Sequence, residues 1–450
     1  MELFNKVELK LNRADFKHNP EFALIDTILE NHQHLIKILQ PDIIAGTKKS
    51  KFGRKDTPSV EQVVRFALFK EIRNLNYEDL TLAQTDSKIC EAFVGLNCRR
   101  PFSQSVLHKY ISRIQPESLN DFFQELNKIA LTEGFEDLEK LRTDTSVVKN
   151  YIHYPTNNSL VWDCIHESHR LLKRLKDEHE GIHYRDYTKG AKEMHYKLNN
   201  IKRGHKWEQE FKKQLTTFTK SIRQVNRIIS QKKSLPLTTK GIGIIYALEQ
   251  LVPMMNRIYD VAYRGEINKE KVPNEEKLFS IYEPHTDIIV KGSREVEFGH
   301  KVQLTSGKSN LIINCEVLDG NPNDSTLFEQ SINRVEEMYG IIPRDVAVDG
   351  GYYSQANKEF AQEKGILNLA FNKIQDCWNL TTSKMMKTVL NKWRSGKEAV
   401  ISNLKRGQRI SRNNWCGRKG FEAKVLWSVI GYNIKMMTRQ MVNSLAPQLG

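Results

Sequence analysis

Three carboxylates stand at places in the sequence where an acid has to be accommodated. Asp144 lies inside E-K-L-R-T-D-T-S-V-V (residues 139–148), a stretch with the β-branched content of a strand. An aspartate disfavours a strand interior and is tolerated there when it faces solvent, a partner or a metal. Asp349 closes the apolar run I-I-P-R-D-V-A-V, and Gly350 and Gly351 follow it. That is the edge where open α/β sheets receive ligands, with glycines that let backbone or ligand come close. Glu398 lies in W-R-S-G-K-E-A-V-I-S-N-L-K-R (393–406), where a helix stacks Arg394, Glu398 and Lys405 on one face. Ile401 and Leu404, with Val400 and Ala399, supply an adjoining apolar face.

Taken singly, these acids have plain readings: an exposed strand residue, a turn cap, and one member of an ion-paired surface helix. Taken together, two from strands and one from a helix, they suit phosphodiester chemistry. Two hard divalent cations about 3.5–4 Å apart can activate a water or hydroxyl and stabilise a leaving oxygen, given carboxylates on rigid elements. The expected cofactor is therefore Mg2+ (or Mn2+), two ions held by Asp144, Asp349 and Glu398. The sequence contains no His-Cys cluster for zinc, no G-x-x-x-x-G-K-[ST] phosphate loop and no G-x-S-x-G serine motif.

The elements that must position these residues run strand, helical interruption, strand, strand, helix, strand, helix, strand, helix. After the strand of Asp144, strands are expected at 298–305 and 310–318, with Gly307-Lys308 as the hairpin turn. Thr326 and Glu329 form a capping-box pattern for a helix striped by Phe328, Ile332, Val335 and Tyr339. Further strands are expected at 341–348 and 365–371. Residues 1–135 read as short helices, with Thr57-Pro58 opening one, Asn76 and Ser103 capping others, and the basic Arg99-Arg100-Pro101 before the last. A helix-turn-helix DNA reader and an ordinary bundle share that pattern.

A long helical region is expected over 163–275. Within 191–235 twelve Lys/Arg stand against three Asp/Glu. Leu198, Ile201, Trp207, Phe211, Leu215 and Phe218 keep one side apolar, and residues 242–258 are the natural partner. A solvated hairpin and a DNA-contacting arm fit this stretch equally. The expected domains are 1–135, a helical region for DNA-end binding; 136–162 with 276–425, the catalytic domain; 163–275, the basic helical insertion; and 426–450, a C-terminal helix.

A length of 450 residues suggests several domains, and 39% apolar composition can bury a core. The formal charge of +15 favours a polyanionic partner, nucleic acid being the commonest. Much of it is local: residues 372–424 hold thirteen Lys/Arg against three Asp/Glu. Cations there would neutralise phosphates in a salt-sensitive way, and Arg394, Lys405, Arg406, Arg409 and Arg412 are the expected DNA contacts. No run of 18 apolar residues occurs, and M-E-L-F-N-K-V-E-L-K lacks a signal-peptide core, so a cytoplasmic protein with no membrane partner is expected. Cys90, Cys98, Cys164, Cys315, Cys377 and Cys416 form no C-x-x-C pair and read as reduced, mostly buried thiols.

Six pieces of the sequence resemble bacterial insertion-sequence transposases with an RNase-H-like DDE domain, most nearly the ISNCY group. They are L-R-T-D-T-S-V-V, I-H-Y-P-T-N-N-S-L-V-W-D, E-P-H-T-D-I-I-V-K-G, F-G-H-K-V, V-D-G-G-Y-Y-S and the stretch around Glu398, within residues 141–406. The resemblance implies an α/β fold: an RNase-H-like mixed five-stranded sheet with flanking helices, a helical N-terminal region and a long helical insertion after the first strand. It implies Asp144 and Asp349 as the metal-binding aspartates. It implies Glu398 as the glutamate, because Arg394, Glu398 and Lys405 reproduce the family's Arg-x3-Glu-x6-Lys signature. Asn391 stands where that signature has a tyrosine. Trp415, Arg418 and Glu422 repeat the aromatic, Arg, Glu intervals, but Val429 replaces the lysine. The implied partner is double-stranded DNA, both element ends and target, bound by a homodimer or higher oligomer at the bacterial nucleoid. A non-catalytic domesticated DNA-binding protein and a metal-dependent nuclease on the same fold are the alternatives.

Overall fold

A computed structural model of the chain describes residues 19–46, 57–96, 100–234, 236–291, 295–375 and 378–449. The segment 1–10, Cys98, Arg99, Leu235, Gly292 and Cys377 lie outside the described residues. Contacts divide the chain into one unit of 1–149 with 300–450 and a second of 150–299.

The first unit opens with seven helices: α1 (Pro20–Asn31), α2 (His34–Ile44), α3 (Val60–Arg73), α4 (Tyr77–Asp86), α5 (Lys88–Val94), α6 (Gln104–Ile111) and α7 (Pro116–Thr132). Ser59, not the Thr57-Pro58 pair, starts α3. Its hydroxyl accepts from Gln62 N while the Gln62 side chain accepts from Ser59 N, a reciprocal capping box. Asn76 caps α4 through the Asp79 amide at 2.7 Å. Ser103 precedes α6 without a capping bond from its side chain.

Strand β1 (Lys140–Asn150) follows, and the chain then enters the second unit. There α8 (Asn157–Glu178), α9 (Thr188–Asn200), α10 (His205–Ser230) and α11 (Thr239–Ala262) pack on one another, with α8 touching the other three. Cys164, Leu172, Phe211, Phe218, Leu248 and Met255 fill their shared core. The apolar period read from the sequence is thus met, with Trp207, Phe211, Leu215 and Phe218 all buried on α10. Strand β2 (Asp287–Lys291) pairs antiparallel with the start of β3 (Glu295–Ser306), Ile288 opposite Phe298.

From His300 onward the chain completes the first unit. Its remaining elements are β4 (Ile312–Val317), α12 (Phe328–Tyr339), β5 (Asp345–Val348), α13 (Gln355–Glu363), β6 (Asn368–Phe371), α14 (Lys384–Gly407), β7 (Arg412–Asn413) and α15 (Gly417–Leu449). Five strands run side by side as β4-β3-β1-β5-β6, and β7 adds to β1. Strands β3 and β4 are antiparallel, whereas β1, β5 and β6 are parallel neighbours. The mixed α/β sheet is therefore present, with β2 and β7 as short additions.

Two local expectations fail for local reasons. The run 341–348 shortens to four residues, since Pro343 has no N–H for a ladder. The Thr326 hydroxyl turns back to Asn323 O at 2.8 Å, so a 3-10 turn over Asp324–Leu327 replaces the expected capping box.

One core joins the N-terminal helices to the sheet: Phe22, Phe66 and Phe122 cluster with Leu141, Val302, Ile313 and Trp427. Helix α15 packs on α1, α3, α7 and β4. Edge strand β4 is closed by Asn433, whose Oδ1 accepts from Ile312 N at 2.9 Å and whose Nδ2 donates to Ile312 O at 2.7 Å. Among the described cysteines Cys90, Cys164 and Cys315 are buried thiols and Cys416 is exposed. No described helix is long and apolar enough to cross a membrane.

Candidate active site

The parallel pairing of β1 with β5 places Thr143 beside Val348, so the next residues along the two strands are Asp144 and Asp349. Asp144 is mid-strand and its carboxylate is largely buried, accepting the Thr145 amide at 2.8 Å. Burial pushes its carboxyl above the ordinary range, and the Arg394 charge acts against that rise. Asp349 starts the tight turn Gly350–Tyr352 at the end of β5. A Cβ on Gly350 would stand 2.7 Å from Asn372 O, so the sharp exit of β5 admits only glycine.

Helix α14 lies over β5 and β6. Ala347 and Ala370 leave room for Leu390, which is fully buried, and burying such a side chain stabilises by about 1.5–3 kcal/mol. This seating turns Arg394 inward. Its Nη2 is 3.1 Å from Asp144 Oδ2 and 3.5 Å from Asp349 Oδ1, and its Nη1 is 3.7 Å from Glu398 Oε1. Arg394 is thus the common neighbour of all three predicted carboxylates. Exposure rises outward across the set, from 16% for Asp144 to 45% for Asp349 and 74% for Glu398.

Residues that sequence spacing did not single out hold this helix. Arg142, two residues before Asp144 and fully buried, donates to Trp393 O and Asn310 Oδ1 and lies 4.7 Å from the Trp393 ring. Gly396 makes the approach possible, because a Cβ there would meet Arg142 Nη1 at 2.5 Å. A glycine inside a helix weakens it by about 1 kcal/mol, which in hindsight marks a close contact. Lys397 is buried as well and donates to Ser306 Oγ at 3.0 Å. Burial pulls its ammonium down to about 7 despite the opposing Asp144 charge.

A fourth acid stands nearby. Asp324 Oδ1 accepts from Thr145 Oγ1 at 3.1 Å and pairs with Lys301 at 2.7 Å. Its signal in the sequence was only a turn-like D-G-N-P-N-D-S.

The predicted DNA contacts divide. Arg394 belongs to the carboxylate cluster. Arg406 and Lys405 lie about two turns beyond Glu398 on α14, the former exposed and the latter half-buried. Arg409 donates to Asn74 O at 3.2 Å, and Arg412 is exposed on β7. Glu422 is elsewhere, bound by Arg418 at 2.6 Å, and the same guanidinium reaches Asp319 and Val317 O. That clasp closes the end of β4 and leaves Glu422 away from Arg394.

Among the described residues no group of three His, Cys, Asp or Glu side chains is arranged as a metal cage, and Arg394 stands amid the acids. The donor chemistry, carboxylate oxygens alone, nevertheless suits a hard divalent cation.

Residues 290–434 match the family model described as Transposase DDE domain. The matched segment contains Asp349 and Glu398, begins after Asp144, and does not single out the ISNCY group. Neither the curated proteins nor the solved structures yielded a match. Transposases of this family act on DNA and generally use divalent metal ions. Residues 290–434 are therefore similar to the DDE domain of transposases, and they lie on a mixed α/β sheet with flanking helices.

Proposed function

We propose that this chain is a transposase that binds the terminal inverted repeats of its element and catalyses metal-dependent strand cleavage followed by strand transfer. The observation that carries this reading is the meeting of Asp144, Asp349 and Glu398 around Arg394. In the reaction, water attacks the phosphorus at the element end and a 3′-hydroxyl leaves. That hydroxyl then attacks a target phosphodiester and displaces a new 3′-oxygen.

Asp144, Asp349 and Glu398 would hold two Mg2+ or Mn2+ ions. Bound there, such ions lower the pKa of the attacking hydroxyl and neutralise charge on the leaving oxygen. The protein's own part is positioning. Strands β1 and β5 fix the two aspartates, while α14 brings Glu398 from the third side. Arg394 would move from the carboxylates to the scissile phosphate as the acids take up cations. Lys405, Arg406, Arg409 and Arg412 would hold flanking phosphates, and the helices of 1–135 would bind the element end. The working species would be a homodimer or higher oligomer on DNA, associated with the nucleoid.

Cleavage and joining assays on an inverted-repeat substrate test the reading. Asp144→Asn, Asp349→Asn and Glu398→Gln should each abolish magnesium-dependent cleavage while end binding survives. Cleavage of supplied ends without any joined product would favour a nuclease instead.

A further inference from the structure

Helix α10 separates its charge from its apolar residues more completely than the helices around it. Trp207, Phe211, Leu215, Phe218 and Val225 face the bundle core. On the other side Lys206, Lys213, Lys220 and Arg227 recur every seven residues, all exposed, with Lys212 and Arg223 beside them. Seven residues make nearly two turns, so these four form one slowly drifting row about 31 Å long.

The row has few acids to balance it. Residues 211–248 contain eight Lys/Arg and no Asp or Glu. The two acids of α10, Glu208 and Glu210, sit at its first turns, where they pair with Lys212 and Lys269 and with Lys197 and Lys213. A solvated helix ordinarily intersperses signs, because like charges three or four residues apart destabilise it. The neighbouring outer faces do mix signs: Glu167 and Asp177 with Lys173 on α8, Glu249 and Asp260 with Arg257 on α11. The uncharged exposed residues along the row are Gln209, Thr216 and Asn226, donors to a phosphate rather than an apolar patch for a protein partner. A membrane surface would need the apolar side of the helix, which the bundle has already buried.

We propose that this face of α10 is a contact for the sugar-phosphate backbone of double-stranded DNA, independent of base sequence. It rests on the transposase reading and adds to it a surface for DNA beyond the acidic cluster. A row of this length spans about nine base-pair steps at 3.4 Å each.

Fluorescence anisotropy of the full chain on a duplex of about 40 base pairs, from roughly 50 to 200 mM salt, tests it. The variant Lys206→Ala/Lys213→Ala/Lys220→Ala/Arg227→Ala should bind about tenfold or more weakly at low salt. Its slope of log affinity against log salt should fall by about three to four, at 0.9 per lost phosphate contact. A control of equal charge, Lys173→Ala/Arg174→Ala/Lys176→Ala/Lys240→Ala, should change the slope by less than about one. The conservative Lys206→Arg/Lys213→Arg/Lys220→Arg should keep the wild-type slope, and all variants should melt with the parent. An unchanged slope in the row variant, or an equal drop in the control, overturns the proposal. So does a loss confined to duplex RNA. Cleavage that persists in Asp144→Asn would instead sink the catalytic assignment and leave these slopes untouched, so the two failures are separable.

Discussion

Arg394 and Asp144 are 250 positions apart in the chain and 3.1 Å apart in the fold. The guanidinium supplies the positive charge that three converging acids require, and it does so from the same helix as one of them. If cations and Arg394 compete for the carboxylates, removing the arginine has two linked effects. Arg394→Gln should destabilise the metal-free protein by about 1–3 kcal/mol through loss of the buried contact, and so lower its melting temperature. Magnesium should then raise the melting temperature of the variant more than that of the parent. Thermal melts with and without magnesium read both, and equal magnesium shifts would contradict the competition.

Gly396→Ala tests the seating of α14. The added methyl would press on Arg142, which anchors Trp393 O, and push Glu398 away from the strands. Displacement of a catalytic group by about 1 Å can cost about 100-fold in rate. The expected result is a loss of that order in cleavage with unchanged circular dichroism. Full activity would mean that the close approach is dispensable.

Much of the site was legible because its signals were local. Asp349 was marked by an apolar run ending in two glycines, and Gly350 turns out to need its missing Cβ against Asn372 O. Glu398 was marked by its intervals to Arg394 and Lys405. The reading placed Arg394 among the DNA contacts, however, whereas tertiary packing buries it beside Asp144. Arg142 and Asp324 escaped notice because they meet the site through Ser306 and Thr145, each more than 160 residues away, and Lys397 because a lysine beside a glutamate on a helix reads as surface. The shifted start of α3 and the missing cap at Thr326 have a similar origin: competing hydrogen bonds at Ser59 and Asn323 won.

A buried charge cluster governs stability at acid pH. Glu71 on α3 lies between Lys70, at 2.8 Å, and Lys424 on α15. Burial raises its carboxyl, but Lys424 and then Lys70 outweigh that and hold it below the ordinary value. A depressed folded-state value means stability that is fully present above the unfolded carboxylate range and lost as pH falls through the folded one. Glu71→Gln should cost about 3–5 kcal/mol at neutral pH, because two buried lysines lose their counter-ion. Denaturant melts should show the gap to the parent narrowing as pH falls, and a constant gap would refute the electrostatic origin.

Asn433→Leu should destabilise the first unit by about 1–3 kcal/mol or more. The loss would leave both the N–H and the C=O of Ile312 without their Asn433 partners, along with Asn127 Oδ1. Hydrogen exchange should quicken at β4 first.

The central claim is that Asp144, Asp349 and Glu398 act as one metal-dependent centre and that Glu422 does not belong to it. Cleavage of an inverted-repeat substrate with magnesium, measured in parallel for Glu398→Gln and Glu422→Gln at matched end binding, tests this most directly. Abolished cleavage in Glu398→Gln beside retained cleavage in Glu422→Gln is the predicted result; the reverse pattern would contradict it.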